Sequence, residues 1–435
     1  MKKIALVSLG CAKNAVDSEM ILAMFPRDRF VLTTSPEGAD LIIVNTCGFI
    51  ESAKKESIDV IMEMAKMGGK LVVVGCLAER YYKELKDSLP EADLIVPIRD
   101  YKELASKLGS LLGEEGILQM NPIRRVLSTA PYSSYLRISD GCDNFCAFCA
   151  IPFIRGRFKS RPYEEILEEA RILKEQGVKE ISLISQDTTV YGKDFEGGRP
   201  NIVDLLSALE DIGFYSIRLL YLYPSEIEDE LIRKIAESTQ IAHYFDIPVQ
   251  TASDKMLDLM KRHAGKKETM DLFKRIKEIC PDAVTRTTLI AGFPGETKKD
   301  HEEALAMMKE VAFDHLGCFP YSKEEGTAGA ILPHQCREST KRQRTDEIMK
   351  LQRSISYENN KKRVGEVMEG LVIGKGKKQG EYLLRSYWNA PDDIDGQIIF
   401  SSPKDLTMGE VVKVRITSAF VYDLYGVLEI TLVSK

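Results

Sequence analysis

No stretch of the 435-residue chain stays apolar for the roughly 18 residues that a membrane-crossing helix needs. The best runs, LIIVNTCGFI at 41–50 and LVVVGCLA at 71–78, have the length of strands. The N-terminus has two lysines but soon meets Asn14, Asp17 and Glu19, so the long apolar centre of a signal peptide is missing. A cytoplasmic location is therefore expected, with no membrane partner. Positive charge is also short: 60 Lys and Arg stand against 66 Asp and Glu, a net charge of −6. The molecule as a whole has no global attraction for a phosphate backbone, so a basic partner is at least as plausible as a nucleic acid. The five His form no HExxH pattern and there is no GxxxxGK[ST] loop, so neither zinc hydrolysis nor nucleotide hydrolysis has a motif to rest on. Nine cysteines are too few for a disulfide scaffold, and in a reducing compartment patterned cysteines more often bind metal or do chemistry.

What is present is an ordinary globular composition, 44% hydrophobic and 29% charged, at a length that suggests about three domains. In the first third, IALVSLG (3–9), LIIVNT (41–46) and LVVVG (71–75) read as parallel strands buried on both faces, with helical patterns at 15–25 and 51–67 between them. This alternation predicts a doubly wound α/β sheet. Each strand runs straight into a cysteine, Cys11, Cys47 or Cys76. A parallel sheet lines up the carboxyl ends of its strands along one edge, where ligands bind. A single cysteine there reads equally well as a small core residue. Three at the same topological position point to a metal or cluster site, and three thiolates would leave one iron of a four-iron cluster without a protein ligand.

A strand at 135–139 then leads into Cys142-x3-Cys146-x2-Cys149. Three cysteines within eight residues can close on one inorganic core, and no further His or Cys follows at zinc-finger spacing. Phe148, just before the last of them, completes a Cys-x3-Cys-x-aromatic-Cys pattern similar to the signature of radical S-adenosylmethionine enzymes. That resemblance implies a four-iron four-sulfur cluster on Cys142, Cys146 and Cys149, with S-adenosylmethionine on its fourth iron.

Beyond the loop the runs at 180–187, 216–224, 244–250, 283–295 and 315–321, separated by helical stretches, bring the count to six βα units. A partial TIM-like barrel is expected, with its site at the strand carboxyl ends. Gln186, Asp187, Gln250, Gly292 and Glu296 follow their strands closely and can hydrogen-bond ribose, amine or adenine; GFPGET could equally be a turn that caps the next helix. Arg286, inside the fifth strand, points either into the barrel, where it would pair with a carboxylate, or at a helix. Cys280, Cys318 and Cys336 have no paired spacing and read as structural.

Residues 337–363 carry nine Lys or Arg against four Asp or Glu, the usual mark of a solvated helix face or linker. From about 364 short strands separated by Gly turns suggest a small antiparallel β-barrel that resembles the OB-like TRAM domain, a module that often contacts RNA. From residue 365 onward there are 8 Lys or Arg and 10 Asp or Glu, so the module is acidic. That makes nucleic-acid contact secondary to contact with a basic protein.

In this order the three parts resemble the radical S-adenosylmethionine methylthiotransferases over nearly the full length: 1–125 as the N-terminal methylthiotransferase domain, 128–360 as the radical core and 364–435 as the TRAM domain. VSLGCAKNAVDSE, ISQDTTVYG and SYWNAPDDIDG look like the branch that methylthiolates the β-carbon of an aspartate in ribosomal protein S12. The resemblance implies two 4Fe-4S clusters, the second held by Cys11, Cys47 and Cys76. It also implies an external electron donor such as a flavodoxin or ferredoxin, a deoxyadenosyl radical that removes hydrogen from an unactivated carbon, sulfur supplied from the second cluster, and a methyl group from a second S-adenosylmethionine. Thr251, after Gln250, departs from the histidine expected there. The sister branch, which modifies isopentenyl-adenosine in transfer RNA, would share all six cysteines. A non-catalytic iron–sulfur protein and a plain zinc protein are the readings of other classes.

Overall fold

The computed structural model describes residues 1–429. The N-terminal sheet contains β1 (Lys2–Ser8), β2 (Phe30–Thr33), β3 (Leu41–Thr46), β4 (Lys70–Gly75) and β5 (Leu94–Val96), in the order β2-β1-β3-β4-β5. Every pairing is parallel. All six residues of β3 are buried, which is why its sequence is apolar almost without alternation. The cysteine-bearing strands β1, β3 and β4 are consecutive neighbours, so their carboxyl ends adjoin.

The middle part contains β6 (Ser133–Arg137), the short hairpin-like pair β7 (Ser139–Asp140) and β8 (Lys159–Ser160), then β9 (Glu180–Ile184), β10 (Ser216–Leu219), β11 (Tyr244–Asp246), β12 (Val284–Ala291) and β13 (His315–Pro320). Two parallel triplets, β10-β9-β6 and β11-β12-β13, meet at an Ile217–Ile241 bridge, where the Ala242 N–H donates to the Ile217 carbonyl at 2.8 Å. The six strands thus form a half-barrel. Outward-facing Leu136, Ile181, Leu183, Ile217 and Leu219 bury its convex side under the flanking helices. The basic segment is a 25-residue helix, Glu338–Lys362, with one buried face; there Gln352 Nε2 donates to the Phe313 carbonyl at 2.8 Å.

The last part closes into a barrel of β14 (Val367–Lys375), β15 (Glu381–Ser386), β16 (Ile398–Ser401), β17 (Val411–Ala419) and β18 (Leu424–Leu428), in the order β14-β15-β16-β18-β17. Four of its five pairings are antiparallel, as expected, and β16 and β18 run parallel. Directions cannot alternate all the way round a closed ring with an odd number of strands. The segment between β15 and β16 is inserted under the half-barrel. Arg218 donates to the carbonyls of Ser386 (2.7 Å) and Tyr387 (3.1 Å), Tyr244 donates to Asp395 at 2.7 Å, and His315 Nε2 lies 2.8 Å from the Trp388 carbonyl. Among the described residues no helix is long and apolar enough to cross a membrane.

Candidate active site with two cysteine trios

The first trio sits where β1, β3 and β4 end. Cys11 is the N-cap of the helix Ala12–Leu22 and Cys76 is the first residue of the helix Cys76–Arg80. Cys47 is fixed through Ser57, whose hydroxyl accepts from its N–H at 3.0 Å and donates to its carbonyl at 2.9 Å. Gly10 permits the approach of Cys11 to Cys47, since a Cβ at Gly10 would lie 3.1 Å from Cys47 Sγ with φ at +90°. Burial pushes the Cys76 thiol up to about 12, with the Arg155 guanidinium opposing. Cys11 by contrast is exposed, so the trio opens on one side.

The second trio is wound on a loop whose entry needs glycine. Gly141 has φ +74°, and a Cβ there would stand 2.1 Å from the Arg157 carbonyl. Cys142 N–H donates to the Gly156 carbonyl at 3.2 Å and Cys149 N–H to that of Cys146 at 2.9 Å. Burial pushes Cys142 up to about 11 and Cys149 up to about 12, opposed by backbone N–H groups of Asn144 and Ile151 respectively. Thiols held protonated in this way release protons when they take a metal.

The donor chemistry matches iron–sulfur ligation better than zinc. One tetrahedral ion with Zn–S bonds of about 2.3 Å would draw its sulfurs to within about 4 Å of each other. Among the described residues only His243, Cys280 and Asp282 bring three ligand atoms within 4.8 Å, and neither cysteine trio does. Each trio offers three thiol ligands, a donor set that suits a polynuclear iron–sulfur core.

Arg155 joins the two groups. It follows the helix Ile151–Ile154, which leaves Cys149 at once, and reaches the N-terminal part. Its Nη2 lies 2.8 Å from Asn14 Oδ1 and 3.6 Å from Cys76 Sγ, and its Nη1 lies 2.7 Å from Asp17. Cys76 packs on Ala150 and Ile154, so the edge of one trio rests on the loop of the other. The helix Ala12–Leu22 lies against the half-barrel, with Arg137 of β6 paired to Asp17 at 2.5 Å.

Of the residues expected to meet the cofactor, Gln186 and Gln250 lie at strand carboxyl ends, and each has a buried Oε1 with no hydrogen-bond partner among the described residues. Gln250 also holds φ at 72°, where only a constrained backbone keeps a non-glycine residue. These orphaned carbonyls are the acceptors that an amine or ribose hydroxyl would satisfy. Phe148 packs beside Met260, Phe293 and Tyr321 as part of the apolar wall. Asp187 braces the loop instead: it accepts from Asn144 (2.8 Å) and from the Thr189 hydroxyl (2.6 Å).

Three further residues from the sequence have partners within the protein. Arg286 points into the barrel and pairs with carboxylates there, Asp246 (3.0 Å) and Asp395 (3.3 Å). Gly292 is glycine because a Cβ would meet Lys341 Cγ at 2.4 Å. Glu296 is taken up by the Gly292 and Phe293 N–H groups and by Arg344 at 3.1 Å, so it caps its own turn. Sequence reasoning missed Arg262 and Tyr223: Arg262 donates to Cys146 Sγ at 3.5 Å and stacks on the Tyr223 ring at 4.0 Å. It also missed Arg155, six positions after Cys149, and Lys13 and Asn14, which stand in the CAKN run at Cys11.

Comparison with known proteins agrees with this layout. Residues 136–308 match the radical SAM superfamily, 3–97 an uncharacterized protein family designated UPF0004, and 364–428 the TRAM domain. The chain is 42% identical to the ribosomal protein uS12 methylthiotransferase RimO of Acetivibrio thermocellus, with 98% of each chain covered. It is 42% identical, with the same coverage, to the protein of that name from Clostridium acetobutylicum. Among solved structures, the radical S-adenosylmethionine methyltransferase TsrM from Kitasatospora setae with cobalamin and a [4Fe-4S] cluster superposes with a TM-score of 0.54, at 13% identity, over 88% of this chain and 81% of that one. That likeness shows a shared radical SAM fold. The identity along almost the whole length with the curated relatives decides the family: this chain belongs to the ribosomal protein uS12 methylthiotransferases of the radical SAM superfamily.

Proposed function

We propose that the protein places a methylthio group on the β-carbon of an aspartate of ribosomal protein S12, using S-adenosylmethionine and two 4Fe-4S clusters. Cys142, Cys146 and Cys149 would hold one cluster and Cys11, Cys47 and Cys76 the other. The observation that carries the reading is the contact of the two trios through Arg155, Asn14 and Cys76. A reaction that breaks a C–H bond at one centre and delivers sulfur from another needs both beside one substrate atom. When bound, the cofactors supply a low-potential electron, a carbon-centred radical and transferable sulfur, none of which a side chain can provide.

The residues of the chain do the rest. Arg262 and Tyr223 place a cation and a hydroxyl against Cys146, at 3.5 and 4.0 Å. Gln186 and Gln250 offer carbonyl acceptors at the mouth. The helix Ala12–Leu22 covers the half-barrel and keeps water from its interior, with Ala12, Val16 and Met20 buried against Tyr135 and Tyr244. An external donor such as a flavodoxin or ferredoxin would supply electrons. The acidic terminal barrel suits a basic ribosomal protein, and the cytoplasm is where the two would meet.

Mass spectrometry of ribosomal protein S12 and of transfer RNA from a deletion strain tests the substrate. Loss of 46 Da from the S12 aspartate peptide, about the mass that a methylthio group adds in place of hydrogen, is the expected result. Loss from transfer RNA alone would overturn it. Iron and sulfide analysis of a triple alanine variant at 142, 146 and 149 tests the cofactors, with about half of the wild-type iron expected to remain.

A further inference from the structure

Lys13 is buried, with 7% of its surface exposed, although it carries an ammonium group. Its Nζ stands 3.2 Å from the centroid of the Tyr221 ring and makes no hydrogen bond or ion pair with any described residue. Of the acidic groups that face it, Cys11 belongs to the first trio, and the carboxylates of Asp246 and Asp140 are already committed, as is that of Asp17. Asp17 is held by Arg137 at 2.5 Å and Arg155 at 2.7 Å, and Asp140 lies 3.6 Å from the same two arginines. Asp246 is paired with Arg286 at 3.0 Å and accepts the Tyr221 N–H at 3.0 Å. Tyr221 itself takes a φ of 64°, in the left-handed region. A buried cation with an aromatic face but no direct hydrogen-bonded anion is costly unless one joins it.

The position says which anion. Lys13 lies two residues beyond Cys11 in the first turn of the helix Ala12–Leu22, the helix that covers the half-barrel. The hydroxyl of Tyr135, in the same cluster, is also buried and faces Asp392. We propose that Lys13 is the carboxylate anchor of the substrate: its ammonium pairs with the side-chain carboxylate of the target aspartate and so holds the adjacent β-carbon between the two cysteine trios. This inference rests on the proposed function and deepens it, because the same cation makes the site select an acidic side chain over a neutral purine. Lys13 is thereby a binding and specificity residue for the substrate.

The test uses the reconstituted full-length protein and a fluorescein-labelled peptide that spans the target aspartate of S12, with a second peptide in which that Asp is Asn. Equilibrium binding is followed by anisotropy for wild type, Lys13→Met and Lys13→Arg, with iron content showing that the Cys11 trio stays loaded. Wild type should prefer the Asp peptide. Lys13→Met should lose roughly thirtyfold in affinity for the Asp peptide and little for the Asn peptide, the scale expected when one partner of a buried charge pair is removed. Lys13→Arg should regain part of the preference. If Lys13→Met keeps the wild-type ratio between the two peptides, the Lys13 assignment fails and the substrate reading stands. If wild type itself shows no preference, the aspartate reading fails and Lys13 with it.

Discussion

At Gly75 the chain takes a φ of +95°, and a Cβ would stand 2.3 Å from Asn45 Oδ1 and 2.6 Å from the Thr46 carbonyl. Gly75→Ala should therefore destabilise the fold by about 2 kcal/mol in urea unfolding, and it should lower iron content because Cys76 is the next residue. Arg262→Met removes the cation that donates to Cys146 Sγ. The reduction potential of the cluster on that loop should become more negative, since positive charge near the sulfurs favours the reduced state. A redox titration followed by electron paramagnetic resonance measures it, and an unshifted midpoint would remove Arg262 from that role. The cysteines were legible because their pattern is local, within eight residues or directly after a strand. Arg262 was not, because its partner is 116 positions away and only the barrel brings them together.

Among the elements, the central strands could be read and the edges could not. β3 and β4 announce themselves by continuous apolar runs, whereas β2 and β5 are short and half-exposed, with no periodicity to set them apart from loops. The parallel pairing of β16 with β18 follows from ring closure, which no single strand encodes. The insertion between β15 and β16 was read as a family motif, but its structural task lay hidden. Asp395 in that segment is 1% exposed and faces Arg286, His315 and Tyr244. Asp395→Asn leaves the Arg286 charge with Asp246 alone. A loss of about 3 kcal/mol is expected, seen as a lower thermal midpoint.

Across the whole molecule, the N-terminal sheet is tied to the half-barrel at Glu324, whose side chain is 2% exposed and lies 2.9 Å from Arg80 and 3.2 Å from Lys54. Burial would raise the Glu324 carboxyl, but the Ser322 hydroxyl, Lys54 and Arg80 outweigh it and hold it below the ordinary glutamate value. A depressed acid stabilises the folded state above its unfolded pKa of about 4.3, and that contribution is lost as pH falls through the lower folded value. Acid should therefore loosen this joint, and Glu324→Gln should do so already at pH 7. Limited proteolysis of residues 113–132, which form no helix or strand between the helix Leu104–Leu112 and β6, measures the effect as a function of pH. Net charge and motif order indicated three parts and their kind of partner, but which buried groups weld the parts together depends on contacts hundreds of residues apart.

The chain has one tryptophan, Trp388, fully enclosed with its ring 4.8 Å from that of His315. Nature has thus put the only indole where the terminal barrel meets the radical core. Its emission should shift to the red when these two parts separate, and unfolding of the N-terminal sheet alone should leave it unchanged. The molecule carries its own optical gauge of docking, readable without any label.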